Sequence, residues 1–358
     1  MQEELARQIC ENLQLQLTPE DEMRLARRPT QNREAYQFLL KAQYYLNRST
    51  RESLQRGLAY ARQAIEADPA YGAAYAWMSV AYSLLGIFDV VPSAEAFPKA
   101  KAAAQKALEI DDSLAEAHTA LGVVRLYYEW DWSGAERSCK RAIELNPNYA
   151  WGHAIWSDWL MAMGRIEEAI TEDLLAVELD PLSAVLNARL GMKISLRGDY
   201  GRALEQLQKA LELEPNLVYT NEMLARIYSR KGMYEEALAT CQRVVSLCGG
   251  NPYSRALSCL ILAMAGKMDE ARKILSELKG YRNLDSEPLV FLAETCSLMG
   301  EKTEAFEFLE VAYQQRGSKL SALNIAPNFR NIRTDPRYAD LLRRMRLPRV
   351  PLPYPEAS

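Results

Sequence analysis

Of the residues able to do chemistry, histidine is the scarcest. Only His118 and His153 occur, 35 positions apart, and neither is followed at helical spacing by an acid or thiol that would complete a metal site. Packing between helices is the role their positions predict. Six cysteines, Cys10, Cys139, Cys241, Cys248, Cys259 and Cys296, contain no CxxC pair and suggest neither a disulfide framework nor a zinc site. No GxSxG elbow, Walker A loop or HExxH pair is present. Carboxylates are plentiful but recur on periodic faces, where solvation accounts for them. Asp173 is odd, because equivalent positions hold Leu207 and Leu275; it either accepts a hydrogen bond from a neighbouring turn or points outwards. Trp130, Trp132, Trp156 and Trp159 could cage a ligand, yet large aromatics at helical junctions are core by habit. The reading is of a non-enzyme, with no catalytic residue, metal or cofactor.

The elements that position these residues repeat. AIEADPA (64–70), ALEIDDS (107–113), AIELNPN (142–148), AVELDPL (176–182) and ALELEPN (210–216) share a small residue, an apolar residue, an acid and then proline or its replacement. Independently, Gly164, Gly198, Gly232, Gly266 and Gly300 recur every 34 residues, each followed five places later by Ala169, Ala203, Ala237, Ala271 and Ala305. The glycine suits a left-handed residue just past a helix end. Acids such as Glu167, Asp199, Glu235, Asp269 and Glu304 then precede or open a second helix, where they complement its dipole. Alanines seven apart, Ala169 with Ala176 and Ala203 with Ala210, let the partner helix approach. Pro181 and Pro215 stop the second helix. One such pair cannot bury its apolar stripe alone, so units must stack. This explains 48 alanines among 358 residues, and why the length counts repeats rather than cores.

With this period the chain resembles the tetratricopeptide repeat family. The small residues Gly122, Gly191 and Ala225, the second-helix alanines, and Pro147, Pro181 and Pro215 match its signature. The resemblance implies an all-α, right-handed α-solenoid of about eight units: 35–69, 70–113, 114–148, 149–182, 183–216, 217–251, 252–285 and 286–318. The second unit is longer, which predicts a loop insertion from Ile87 to Phe97. Residues 1–31 read as a linker with capping helices, an amphipathic one carrying Leu5, Ile9 and Leu13, and a second capped by Thr18 and opened by Pro19. The array fills 32–318. A capping segment at 319–347 should lay Tyr338, Leu341, Leu342 and Met345 over the last unit, before a proline-rich tail at 348–358.

Three segments narrow the likeness: residues 2–47, YYEWDWSGAE (127–136) and TDPRYADLLRRMRLP (334–348) look like the C-terminal halves of bacterial multidomain regulators. There, a winged-helix, kinase or cyclase domain precedes the array. This sequence contains no such domain, so DNA binding and catalysis do not carry over; it reads as a fragment or a stand-alone sensor half.

Composition agrees with a folded, interaction-competent chain: 49% of residues are apolar and 25% charged, with net charge -4. A pI near 5.6 argues against a dedicated nucleic-acid binder. The basic run from Arg316 to Arg349 suggests contact with an acidic partner. Pro69 to Phe88 is free of charge, but its glycines, serines and hydroxylated aromatics suit a buried helix better than a membrane span. With no secretory signature at MQEELARQIC, the cytoplasm is the expected location.

The resemblance also places first helices on the concave side. Registering the units brings Trp77, Trp151, Asp158, Val185, Arg189, Met192, Tyr219, Glu222, Met223, Arg226, Tyr253, Leu260, Phe291 and Glu294 to that face. The Lys, Asn and Arg set with which some arrays grip a carboxylate is missing. An apolar and aromatic face with mixed charges suits a protein segment, amphipathic helix or extended peptide, with aromatic anchors. The expected partner is a protein or peptide, with self-association through the N-terminal helix as a further possibility. Two other readings stay open: the regulatory half of a signalling or transcription protein, and a part of a sugar-transferring complex. Tight winding or the chain's own termini would bury some of this surface.

Overall fold

A computed structural model describes residues 30–351 other than 49, 89, 282 and 283, and among these there are helices and turns but no strand. The expectations for residues 1–29, including Cys10, and for 352–358 fall outside the described residues. Sixteen helices pack as eight consecutive pairs: Arg33–Leu46 with Arg51–Ala67 (α1, α2), Gly72–Ile87 with Ser93–Ile110 (α3, α4), Ala115–Val124 with Trp132–Leu145 (α5, α6), Ala150–Ala162 with Ile166–Leu179 (α7, α8), Ala184–Ser195 with Tyr200–Leu213 (α9, α10), Val218–Arg230 with Tyr234–Leu247 (α11, α12), Pro252–Met264 with Met268–Lys279 (α13, α14), and Ser286–Met299 with Lys302–Gln314 (α15, α16).

The repeated residues do what their chemistry requires. Gly164, Gly198, Gly232, Gly266 and Gly300 all take φ between 75° and 79°, the left-handed geometry that a side chain resists. Ala169, Ala176, Ala203, Ala210, Ala237, Ala271 and Ala305 are buried in the seams between helices. Side chains also cap helix starts: Thr50 and Ser53 form a reciprocal capping box at α2, and Asp131, Asp199 and Asn251 each accept a backbone N–H.

A second periodic device joins successive units. His118 Nε2, His153 Nε2, Asn187 Nδ2 and Asn221 Nδ2 each donate to the carbonyl six residues upstream, on Asp112, Pro147, Pro181 and Pro215, at 2.9, 2.8, 3.1 and 3.4 Å. Both histidines are thus clamps on the inter-unit turn, a more specific role than packing.

One expectation is corrected. The extra residues of the second unit are not a loop from Ile87 to Phe97. Only a short connection separates α3 from α4, whose 16 and 18 residues together absorb most of the excess, and Phe97 is buried in α4. The capping segment carries more than its final helix. Ser318–Ile325 and Pro327–Ile332 are 3₁₀ helices, and only then does Pro336–Arg344 (α17) form. Tyr338, Leu341, Leu342 and Met345 are buried, with Arg337 over the Phe306 ring and Arg344 paired to Glu310 at 2.7 Å, both on α16.

This C-terminal strap also reaches back across the array. Asn324 Nδ2 donates to the carbonyls of Ala162 and Pro348, and Trp132 Nε1 to that of Met345, each at 2.8 Å. A π turn at Arg125–Glu129 ends on Trp130, which takes φ 54° and stacks on Tyr313 at 5.2 Å. The four tryptophans singled out in the sequence are buried in this region.

Candidate functional site

First helices α3, α5, α7, α9, α11 and α13 turn one face each toward a common cavity of about 340 Å³, closed at one end by the strap. Of the predicted face, Trp77, Trp151, Asp158, Val185, Arg189, Met192, Tyr219, Glu222, Met223, Arg226, Tyr253 and Glu294 line it. Leu260 and Phe291 do not. Both are fully buried, and over Phe291 it is the strap that lies against α15, with Lys319 4.9 Å above the ring. The concave surface is therefore divided: its later part holds the chain's own strap, and its earlier part is open.

Apolar side chains dominate the open part. Trp77, Val80, Leu84, Val123, Trp151, Val185, Met192 and Tyr219 are each only half-buried and border the cavity. The charged side chains behave differently, because they are engaged with one another. Asp158 receives Arg189 at 2.6 Å, Lys193 Nζ at 3.0 Å and the Tyr127 hydroxyl. Burial pushes its carboxyl up, but Arg189 and Lys193 overcome this and hold it down at about 2. Lys193 bridges onward to Asp173 at 2.6 Å, and burial raises the Asp173 carboxyl despite that pairing. Asp173 thus neither caps a turn nor faces solvent; it answers a lysine on the next unit's first helix. A second cluster lies toward the strap. Glu222 accepts from the Tyr253 hydroxyl, Arg226 bonds Glu294 at 3.0 Å, Asn328 donates to Glu294 at 2.9 Å, and Lys319 pairs with Glu287 at 3.0 Å. Burial lowers the Lys319 pKa, but Glu222 and Glu287 outweigh it and the net shift is upward.

Lys193, Tyr127, Lys319 and Glu287 were missed in the sequence. For Lys193 a signal existed: it occupies the position of Trp159, Ile227 and Ile261 in neighbouring units, all buried, while Asp173 occupies a leucine position. Two polar departures at buried positions of adjacent units are a pair. The strap left no such mark, since its contacts with α6 and α7 join residues more than 160 apart in sequence.

Nucleophilic and metal chemistry find little support among the described residues. Burial pushes the thiols up, to about 11 for Cys241, Cys248 and Cys259 and about 12 for Cys296, which disfavours the reactive thiolate. Cys296, Glu301 and Glu304 bring donor atoms within 4.8 Å of one another, but Lys279 holds Glu304 at 2.5 Å and Arg272 lies 3.6 Å from Glu301. The basic C-terminal run is largely spent within the fold: Arg316 stacks over Trp130, Arg333 donates to the carbonyls of Asn324 and Val350, and Arg337 and Arg343 pair with Asp335 and Asp340. No helix of the described residues is long and apolar enough to cross a membrane.

Comparison with known proteins agrees with this architecture. Residues 196–257 match the family described as tetratricopeptide repeat. The Cut9–Hcn1 hetero-tetramer of the APC/C superposes with a TM-score of 0.60 at 18% identity, over 92% of this chain and 60% of that one. PilF of Pseudomonas aeruginosa is 26% identical over 60% of this chain and 97% of its own, with a TM-score of 0.42. A thermophilic TPR protein of Thermus thermophilus, TTC0263, is 22% identical over 51% and 98%, at 0.45. No curated protein matches the sequence.

Proposed function

We propose that this tetratricopeptide repeat protein is a non-enzymatic interaction module that holds a segment of a protein partner against the open part of its concave face. Arrays of this kind are generally scaffolds, and stacked helix pairs create long concave surfaces suited to chains. The observation that carries the reading is the cluster of half-buried aromatic and aliphatic side chains, Trp77, Trp151, Val185, Met192 and Tyr219, around one cavity. Aromatic anchors in such pockets supply most of the energy in peptide recognition. A photo-cross-linking residue placed at Tyr219 should capture a defined segment of one partner. Capture should fail when Trp151 and Met223 are replaced by Ala while helical content is kept; unchanged capture in that variant would refute the reading.

A second reading, the regulatory half of a bacterial signalling or transcription protein, draws on one observation. Two of the segments that resemble such regulators, 127–136 and 334–348, meet through Trp132 Nε1 and the Met345 carbonyl. They join the third unit to the C-terminal segment. An effector domain encoded in frame upstream would support this reading, and a cytoplasmic location follows from it.

A further inference from the structure

We infer that the segment held in the concave cavity is uncharged, carrying apolar anchors with amide or hydroxyl groups between them and no acidic or basic side chain at its centre. This rests on the peptide-binding reading above and names the chemistry of the partner. Two independent features of the structure lead to it.

The first is electrostatic. Six of the cavity-lining charges come as cation and carboxylate already joined, Arg189 with Asp158, Arg226 with Glu294 and Lys319 with Glu287, and Arg230, which also lines it, is engaged as well. Asp158 and Glu222 are further closed by the Tyr127 and Tyr253 hydroxyls. A charged side chain entering here would have to break one of these pairs and leave its other member buried without a partner, the costly outcome for a buried ion. A neutral apolar side chain breaks none of them and covers the half-buried faces of Trp151, Val185 and Met192.

The second feature is a precedent within the molecule. The strap occupies the neighbouring stretch of the same concave surface, and it does so with Leu320, Leu323, Ile325, Phe329 and Ile332, all buried. Its polar contacts there are largely neutral amides: Asn324 to the Ala162 carbonyl, Asn328 to Glu294 and Asn331 to the Ser297 carbonyl at 3.1 Å. Lys319 is the strap's one cation in the cavity lining, matched by Glu222 and Glu287. The open part continues this surface, but its carboxylates already have partners. A segment resembling the strap without its lysine is therefore what fits.

The test is selection of ten-residue random peptides displayed on phage against the full chain, followed by affinity measurement on synthetic versions of the enriched sequences. The expected result is enrichment of two or more aliphatic or aromatic residues separated by Asn, Gln, Ser or Thr. Affinity should change less than about twofold between 0.1 and 1 M NaCl, a range over which exposed ion pairs are strongly screened. Binding should weaken at least tenfold in Trp151→Ala and, separately, in Met192→Gln, each checked for an unchanged circular dichroism spectrum. Enriched peptides with central Asp, Glu, Lys or Arg, and salt-sensitive affinity that still depends on Trp151, would overturn the inference and leave the peptide-binding reading intact. Enrichment that is absent, or indifferent to both substitutions, would overturn the two together.

Discussion

His153 shows how a single side chain links local geometry to solution behaviour. Its Nε2 donates to the Pro147 carbonyl, and its Nδ1 lies 2.7 Å from Glu172. Burial favours the neutral ring, but the bonds to Glu172 and Pro147 win, so its pKa is raised. A group with a raised folded-state pKa contributes stability that is fully present below its unfolded value, about 6.5, and is lost as pH rises through the folded one. Thermal melts should therefore show a Tm falling from pH 6 toward pH 8. His153→Asn, which installs the side chain that Asn187 and Asn221 use for the same clamp, should flatten that dependence. Lys193 offers a sharper case. Lys193→Met leaves Asp173 buried without its cation and should cost about 3–5 kcal/mol in denaturant unfolding. Adding Asp173→Leu, the residue found at Leu207 and Leu275, should restore most of that loss, because Arg189 still pairs with Asp158.

At the scale of elements, the paired helices are legible in the sequence because their determinants are local and repeated. Gly232 illustrates this: its φ of 75° is required by the turn, and nothing lies within 4 Å of where a Cβ would stand. Gly232→Ala should cost only the left-handed backbone penalty, about 1–2 kcal/mol. Gly164 has the same left-handed geometry, yet a Cβ there would come within 2.7 Å of Val350. Gly164→Ala should be the more damaging of the two in thermal melts, although the sequence presents them as equivalents. The same contrast explains the cavity. Trp151, Val185 and Tyr219 could be registered by counting, since 34 residues separate them. Phe291 stands in a parallel 34-residue series with Arg189 and Met223 but is covered by a segment with no repeat of its own. The second unit fails for a related reason: the count detects surplus residues, while whether they coil or extend an existing helix depends on Phe97 finding a buried place.

At the scale of the whole molecule, the strap changes how the array should unfold. In an open solenoid each unit touches only its neighbours, and unfolding spreads from one unit to the next. Here Asn324 ties the end of α7 to the C-terminal segment, Trp132 ties the start of α6 to Met345, and Trp130 stacks on α16. Opening the strap must then loosen the third and fourth units as well as the eighth. Asn324→Ala removes donors to both Ala162 and Pro348, at about 1 kcal/mol for each bond. Amide exchange should accelerate on the order of tenfold within 318–347 and, to a comparable degree, within 150–179, although more than 130 residues of array lie between them. Acceleration confined to 318–347 would mean that the fourth unit holds itself together without the strap, and that the molecule behaves as an ordinary row of neighbours.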